Sequence, residues 1–295
     1  MELVFKARSQ LIWVFVLASL FVCRTSFASA PQKELIEVED YFPWCIVAYD
    51  SLERTPTQRI KMIQKLGFQR YAYDWRDRHL DDTLEELQLA TEHGIEVIGV
   101  WLWLNAERDR AGKLGDGNQR LIESVKASGI QTTLWVGLSP NFFEGLTDEQ
   151  SFAKAIELID FVSKSAASIG CRVALYNHTG WFANPYNQIE LIEALPEHKL
   201  QIVYNFHHGH QWVDHFDEIA NAISPYLVAV NLNGMDNNGT KISPIGQGKF
   251  EYQMIESLIH AGFNGPWGIM GHMKNTDVKE VLIQNLKGLK QLSSR

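Results

Sequence analysis

The sequence predicts an α/β protein built as a single (β/α)8 TIM barrel, preceded by an N-terminal signal peptide. Three observations carry that prediction. From residue 44 onward, short apolar, β-branched or aromatic runs alternate with longer amphipathic segments, the signature of a parallel α/β fold. Eight such units fit into about 250 residues, the size of a barrel whose strands are buried on both faces and so read as continuous apolar runs. No Gly-rich phosphate loop follows the first run, and no linker or repeat divides the chain, which disfavours an open doubly wound sheet.

The first segment, residues 1–30, has Lys6 and Arg8, then "LIWVFVLASLFVC", then the small-residue stretch "SFASA". That order is the layout of a secretory signal peptide, with an apolar core too short to span a bilayer comfortably. Cleavage is expected after Ala28 or Ala30, followed by export and no stable membrane insertion once the leader is gone. Residues 31–295 then form the barrel domain. Its strands are expected at "WCIVAYD" (44–50), "RYAYD" (70–74), "EVIGVWLW" (96–103), "QTTLWVGL" (131–138), "RVALYN" (172–177), "QIVYNF" (201–206), "LVAVNLN" (227–233) and "WGIM" (267–270). Segments such as "TPTQRIKMIQKLG" and "DGNQRLIESVKASG" lie between them, opening on Thr, Asp or Asn and mostly closing on Gly, as capped helices do.

Composition narrows the partners. With 45% hydrophobic and 21% charged residues the chain can bury one large core, and its net charge of −8 without a basic block offers no footprint for nucleic acid or anionic lipid. Cys45 and Cys171 each sit in apolar runs without CxxC spacing, so buried free thiols are expected rather than a disulfide or a metal site.

In such a barrel the chemistry gathers at the C-terminal strand ends. Those ends supply Tyr49, Asp74, Trp75, Trp101, Trp103, Tyr176, Asn177, His178, Asn205, His207, His208, His210, Asn231, Asn233 and His272, with Trp181 just beyond the fifth. Indole faces beside amides and imidazoles suit a carbohydrate, whose ring faces stack while its hydroxyls need fixed donors and acceptors. Trp101, Trp103, Tyr176, Asn177, Trp181, Asn205, Asn231 and Asn233 are the expected sugar contacts. Asn231 and Asn233, alternate residues on one strand, point the same way and need partners if buried.

The segments "VALYNHTGW", "VYNFHHGH", "VAVNLNGM" and "PIGQGKFEYQMIESLIHAGFNGPWGIMGH", in that order, resemble the xylose-isomerase-like TIM barrels, a superfamily of sugar isomerases, epimerases and repair endonucleases. The resemblance implies a divalent ion held largely by carboxylates at the strand ends, and a pair of Glu residues that move protons. This chain departs from that pattern. Tyr176, Asn205, Asn231, Gly234 and Met270 stand where acidic or imidazole ligands are implied, Asn233 stands where a Lys is implied, and His208 alone keeps its type. A neutral set cannot offset the dehydration of a hard divalent ion.

Two readings of the site stay open. One is a remade transition-metal centre of His208, His210, His178 and His272, since imidazole suits zinc, copper, nickel or iron. The other is a metal-free sugar site in which histidine is the hydrogen-bonder or base. Within either, the expected activity is isomerisation, epimerisation or elimination on a sugar or keto-sugar, begun by removing a proton beside a carbonyl. His208, His178 and Asp74 are the candidate bases, and Lys241 or an Asn the oxyanion support. His207, one residue out of phase with His208, is expected to face the barrel wall or the helix layer. A non-catalytic carbohydrate-binding barrel is the alternative. A repair nuclease fails on charge and on missing carboxylates.

Overall fold

The computed structural model describes residues 40–237 and 242–293. The leader and Lys241 lie outside the described residues. Those described form eight parallel strands, each followed by an α-helix: β1 (Tyr41–Trp44), α1 (Pro56–Lys65), β2 (Arg70–Tyr73), α2 (Thr83–Glu92), β3 (Glu96–Leu104), α3 (Asp116–Ser128), β4 (Thr133–Leu138), α4 (Asp148–Ala167), β5 (Arg172–Tyr176), α5 (Pro185–Ala194), β6 (Gln201–Asn205), α6 (Phe216–Ile223), β7 (Leu227–Leu232), α7 (Glu251–His260), β8 (Trp267–Met270) and α8 (Val278–Ser293). The ladder runs β1-β8-β7-β6-β5-β4-β3-β2, so the sheet is a nearly closed barrel with its seam between β1 and β2. Pro43 within β1 has no N–H to give to a ladder, which suits a strand at that seam.

Local chemistry explains the elements. Thr55 and Thr147 form capping boxes with Gln58 and Gln150 at the starts of α1 and α4. Asn184 caps α5 with Pro185 in its first turn, and Gly129 ends α3 in the left-handed conformation.

The first strand lies earlier than its sequence suggests. β1 is "YFPW", and the chain leaves it at Cys45, whose φ is +57°. The following run is apolar because Ile46 and Val47 are buried, not because it is a strand. Its backbone donors go instead to a carboxylate: Asp74 Oδ1 accepts from Val47 N (3.0 Å) and Oδ2 from Ala48 N (3.1 Å).

The barrel interior is unusually aromatic. Fully buried Trp135 packs against Phe42 and Trp44, at centroid distances of 5.8 and 4.9 Å. Gly99 makes room for it, since a Cβ there would lie within 2.6 Å of the indole. Cys45 and Cys171 are free and buried.

Candidate functional site

The cleft at the C-terminal mouth is built on an indole platform. Trp101 and Trp103 are alternate residues of β3 and so project to the same side. Their rings stack at 5.6 Å with 15° between planes. Gly137, opposite Trp103 on β4, lets them lie flat, because a Cβ there would come within 2.8 Å of both indoles. Trp75 Nε1 donates to Trp101 O at 2.7 Å, adding a third indole from the end of β2. Tyr176 closes the floor, 4.6 Å from Trp101, and its hydroxyl accepts from Trp44 Nε1 (3.2 Å) and from Asn205 Nδ2.

An arc of imidazoles rises over this platform. Centroid distances run 4.6 Å from Trp103 to His178, 4.4 Å to His208, 4.4 Å to His207, 5.7 Å to His272 and 3.6 Å to Tyr49. Arg76 stands at the rim. Its guanidinium donates to Trp75 O and to Tyr49 Oη (3.2 Å), and lies 5.5 Å from the Tyr49 ring. Two adjoining cavities, of about 310 and 70 Å³, share Arg76, Trp101 and His178 in their walls. The larger adds Trp103, Arg108 and Asn118; the smaller adds Asp74, Asn205, His207, His208 and His272.

Electrostatics fix the state of two rings. Burial lowers His178 to about 4, reinforced by His207 and Arg76. Burial lowers His272 to about 4 as well, with His207, Arg76 and Lys274 adding to it. Both are neutral imidazoles near pH 7. His178 Nδ1 is buried and has no hydrogen-bond partner among the described residues.

The fold therefore brings Asp74, Trp101, Trp103, Tyr176, Asn205, His178, His208 and His272 to one mouth. Other expected site residues lie elsewhere. Asn177 is tied to the backbone of Asn205, donating to its O (3.2 Å) and accepting from its N (2.7 Å), so it bridges β5 and β6. Asn231 is wholly buried within the barrel, its amide against Gly268, where a Cβ would meet Oδ1 at 2.0 Å. Asn233 turns its Nδ2 to Gly234 O (2.9 Å) and Met235 Sδ. Trp181 lines a separate, outer cleft.

The histidine cluster is also arranged differently from the expectation. His207 does not face the barrel wall but lines the cleft beside His208, whereas His210 turns away to pair its Nδ1 with Asp236 O at 2.8 Å. The strand ends at Asn205, whose Oδ1 accepts from His207 N and starts a 3-10 turn over Phe206–His208. Strand alternation therefore no longer applies at 207 and 208. Sequence reasoning missed Arg76, Arg108 and Trp44. Arg76, two residues beyond Asp74, carried a usable signal as a cation just past a strand end.

A nearly closed parallel barrel with its cleft at the C-terminal mouth defines a TIM-barrel protein. The chain belongs to the xylose isomerase-like TIM barrel family, whose model matches residues 59–292. By structure it is similar to a 3-keto-D-glucoside 4-epimerase from E. coli (TM-score 0.63, 15% identity, 87% of this chain and 100% of that one). It is similar too to a xylose isomerase domain containing protein from Salmonella typhimurium LT2 (0.64, 15%, 87% and 98%). A third likeness is to the IolI protein with a bound zinc atom (0.63, 14%, 86% and 97%). Comparison with curated proteins by sequence finds no match.

The donor set at the mouth does not fit a resident divalent ion. The Tyr176 hydroxyl is engaged by two donors, Asn231 is enclosed in the barrel, Met270 is buried, and His210 is turned to Asp236. Among the described residues, the His, Cys, Asp or Glu ligand atoms that converge in a group of three within 4.8 Å belong to Asp160, Glu197 and His198. That group lies before β6, at the opposite end of the strands, and Lys164 occupies the second Asp160 oxygen at 2.7 Å.

Proposed function

We propose that the protein is an exported enzyme of the sugar isomerase and epimerase type, acting on a sugar or keto-sugar by removing a proton next to its carbonyl. The observation that carries this reading is the arc of imidazoles over a stacked indole pair, with one guanidinium at its rim. A sugar ring lies flat on the Trp101–Trp103 platform, leaving its edge to the polar groups. His208 takes the proton from the carbon beside the carbonyl. The electron pair of that C–H bond forms the enediolate double bond, and the carbonyl electrons pass to oxygen. Arg76 receives the developing charge, and the neutral His178 ring offers an N–H to the same oxygen. Delivery of a solvent-derived proton to the same carbon from the opposite face, with re-formation of the carbonyl, gives the epimer. Return of the proton from His208 to the former carbonyl carbon, with the hydroxyl proton passing to the other enediolate oxygen, gives the isomer. Kinship with a 3-keto-D-glucoside 4-epimerase supports the reading at the level of substrate class.

A non-catalytic sugar-binding barrel is the second reading. It is favoured by Asp74, the carboxylate lining the inner cavity, whose two oxygens are both engaged by backbone N–H groups. Incubation with a panel of keto-sugars in D2O separates the two. Deuterium beside the carbonyl, lost by at least about a hundredfold in rate in His208→Ala, is the expected result. Sugar binding by calorimetry with no exchange in any member of the panel selects the binder. Export rests on the leader's order of charged, apolar and small residues, and N-terminal sequencing of the mature protein that returned Met1 would defeat it.

A further inference from the structure

Trp181 was expected in the sugar cleft and is found outside it, in a cleft of about 550 Å³ between the loops that follow β5 and β6. Its wall is formed by Trp181 and Trp212 with Asp148, Asn184, Asn187 and Gln211. Each indole is half-buried and held in place: Trp181 packs on Phe143 at 5.2 Å, and Trp212 meets the edge of Tyr186 at 6.3 Å. Gly180, at φ +69°, gives the loop after β5 a positive-φ turn just before Trp181. Asn187 Nδ2 donates to Trp181 O (2.9 Å), and Asn184 Oδ1 accepts from Tyr186 N (3.0 Å). Those bonds fix the two amides and leave Asn184 Nδ2 and Asn187 Oδ1, a donor and an acceptor, for a ligand.

The chemistry selects a neutral polyol. Two aromatic faces provide stacking surface, and amides with one carboxylate serve hydroxyls, which both give and accept hydrogen bonds. None of the seven lining residues, Gly180 included, is cationic, so an anion has no counter-charge there. The cleft is also tied to the mouth through both of its loops. His178 and Trp181 are three residues apart, as are His208 and Gln211, so each pair is separated by at most about 11 Å of extended chain. A disaccharide or trisaccharide covers such a span.

We propose that this outer cleft is a second sugar-binding subsite, and that the substrate is a glycoside of at least two rings whose non-reacting ring sits between Trp181 and Trp212. The inference rests on the reading of the inner cleft as a sugar site. Its test is calorimetric titration with a panel of α- and β-linked disaccharides and with their component monosaccharides. The expected result is that at least one disaccharide binds about tenfold or more tighter than its monosaccharide, and that Trp181→Ala with Trp212→Ala removes this preference while monosaccharide affinity stays within twofold of wild type. Asp148→Ala with Gln211→Ala, both exposed and outside the packed core, provides an arm that keeps the fold, and should reduce the preference severalfold. Monosaccharide binding without any disaccharide preference, or a preference that both double variants retain, overturns the subsite and leaves the inner reading intact. Absence of binding by every sugar overturns the inner reading and the subsite with it.

Discussion

Two imidazoles in the cleft are built to stay neutral. His178 and His272 are walled in by rings and lie near His207 and Arg76, so a proton on either meets both a desolvation penalty and nearby positive charge. A neutral histidine can donate a hydrogen bond to a developing oxyanion without giving up its proton, which is the role assigned to His178. The expected outcome in a ¹H–¹³C NMR titration is that both rings change their Cε1 shifts with midpoints near 4, well below an ordinary histidine at about 6.5. Arg76→Ala removes the rim cation and should raise both midpoints. Midpoints near 6.5 in the wild-type protein would remove the basis for treating His178 as a neutral donor.

At the scale of elements, β3 and β4 together make the platform, and one glycine controls it. A methyl group at Gly137 would lie 2.7 Å from the Trp101 ring and 2.8 Å from the Trp103 ring, both too rigid to yield at their tips. Gly137→Ala should therefore cost about 1–3 kcal/mol of stability, the usual penalty of overpacking, with a changed near-UV circular dichroism spectrum and weakened sugar binding. A variant that kept wild-type melting and spectrum would show that β4 does not hold the indoles in place. Strand periodicity made much of this element structure legible: β2 through β8 fall within two residues of the expected runs at every boundary, and the Trp101–Trp103 pair follows from simple alternation. What periodicity could not show lies where regular structure stops. "CIVAYD" has the apolar character of a strand, yet a left-handed Cys45 and the Asp74 carboxylate hold it as a loop. His207 and His210 exchanged their expected places because the Asn205 side chain starts a 3-10 turn, and no alternation rule extends through such a turn. Asn231 has the position of a site residue by spacing, but the absence of a side chain at Gly268 allows it to settle into the barrel interior.

For the whole molecule, the buried ionisable groups set a pH dependence whose sign follows from linkage. Burial lowers His79, His178 and His272 to about 4 in the folded chain, against about 6.5 when unfolded. His79 accepts a hydrogen bond from Arg76 N at its Nδ1 (3.0 Å), which also favours the neutral ring. Between about pH 4 and 6.5 the unfolded chain takes up protons at these three rings that the folded chain refuses, so their contribution is intact above about 6.5 and lost as pH falls towards 4. Glu86 works in the opposite sense. Burial raises it to about 7, with the charge of Asp74 adding to the rise, despite the pull of Arg59 and the hydrogen bond from Tyr71. The folded chain therefore retains a proton that the unfolded chain releases, and stability is lost as pH rises from about 4.5 to 7. Three groups oppose one over the shared window. Allowing for solvent screening at the partly exposed rings, the net gain from pH 4.5 to 6.5 should be at least about 1 kcal/mol, or roughly 2–4 °C in Tm for a domain of this size. Differential scanning calorimetry across that range measures it directly. His79→Asn with His272→Asn removes two of the three opposing rings and should flatten the rise. A wild-type Tm that fell between pH 4.5 and 6.5 would mean that the Glu86–Arg59 pair, and not the imidazoles, governs the response of this barrel to acid.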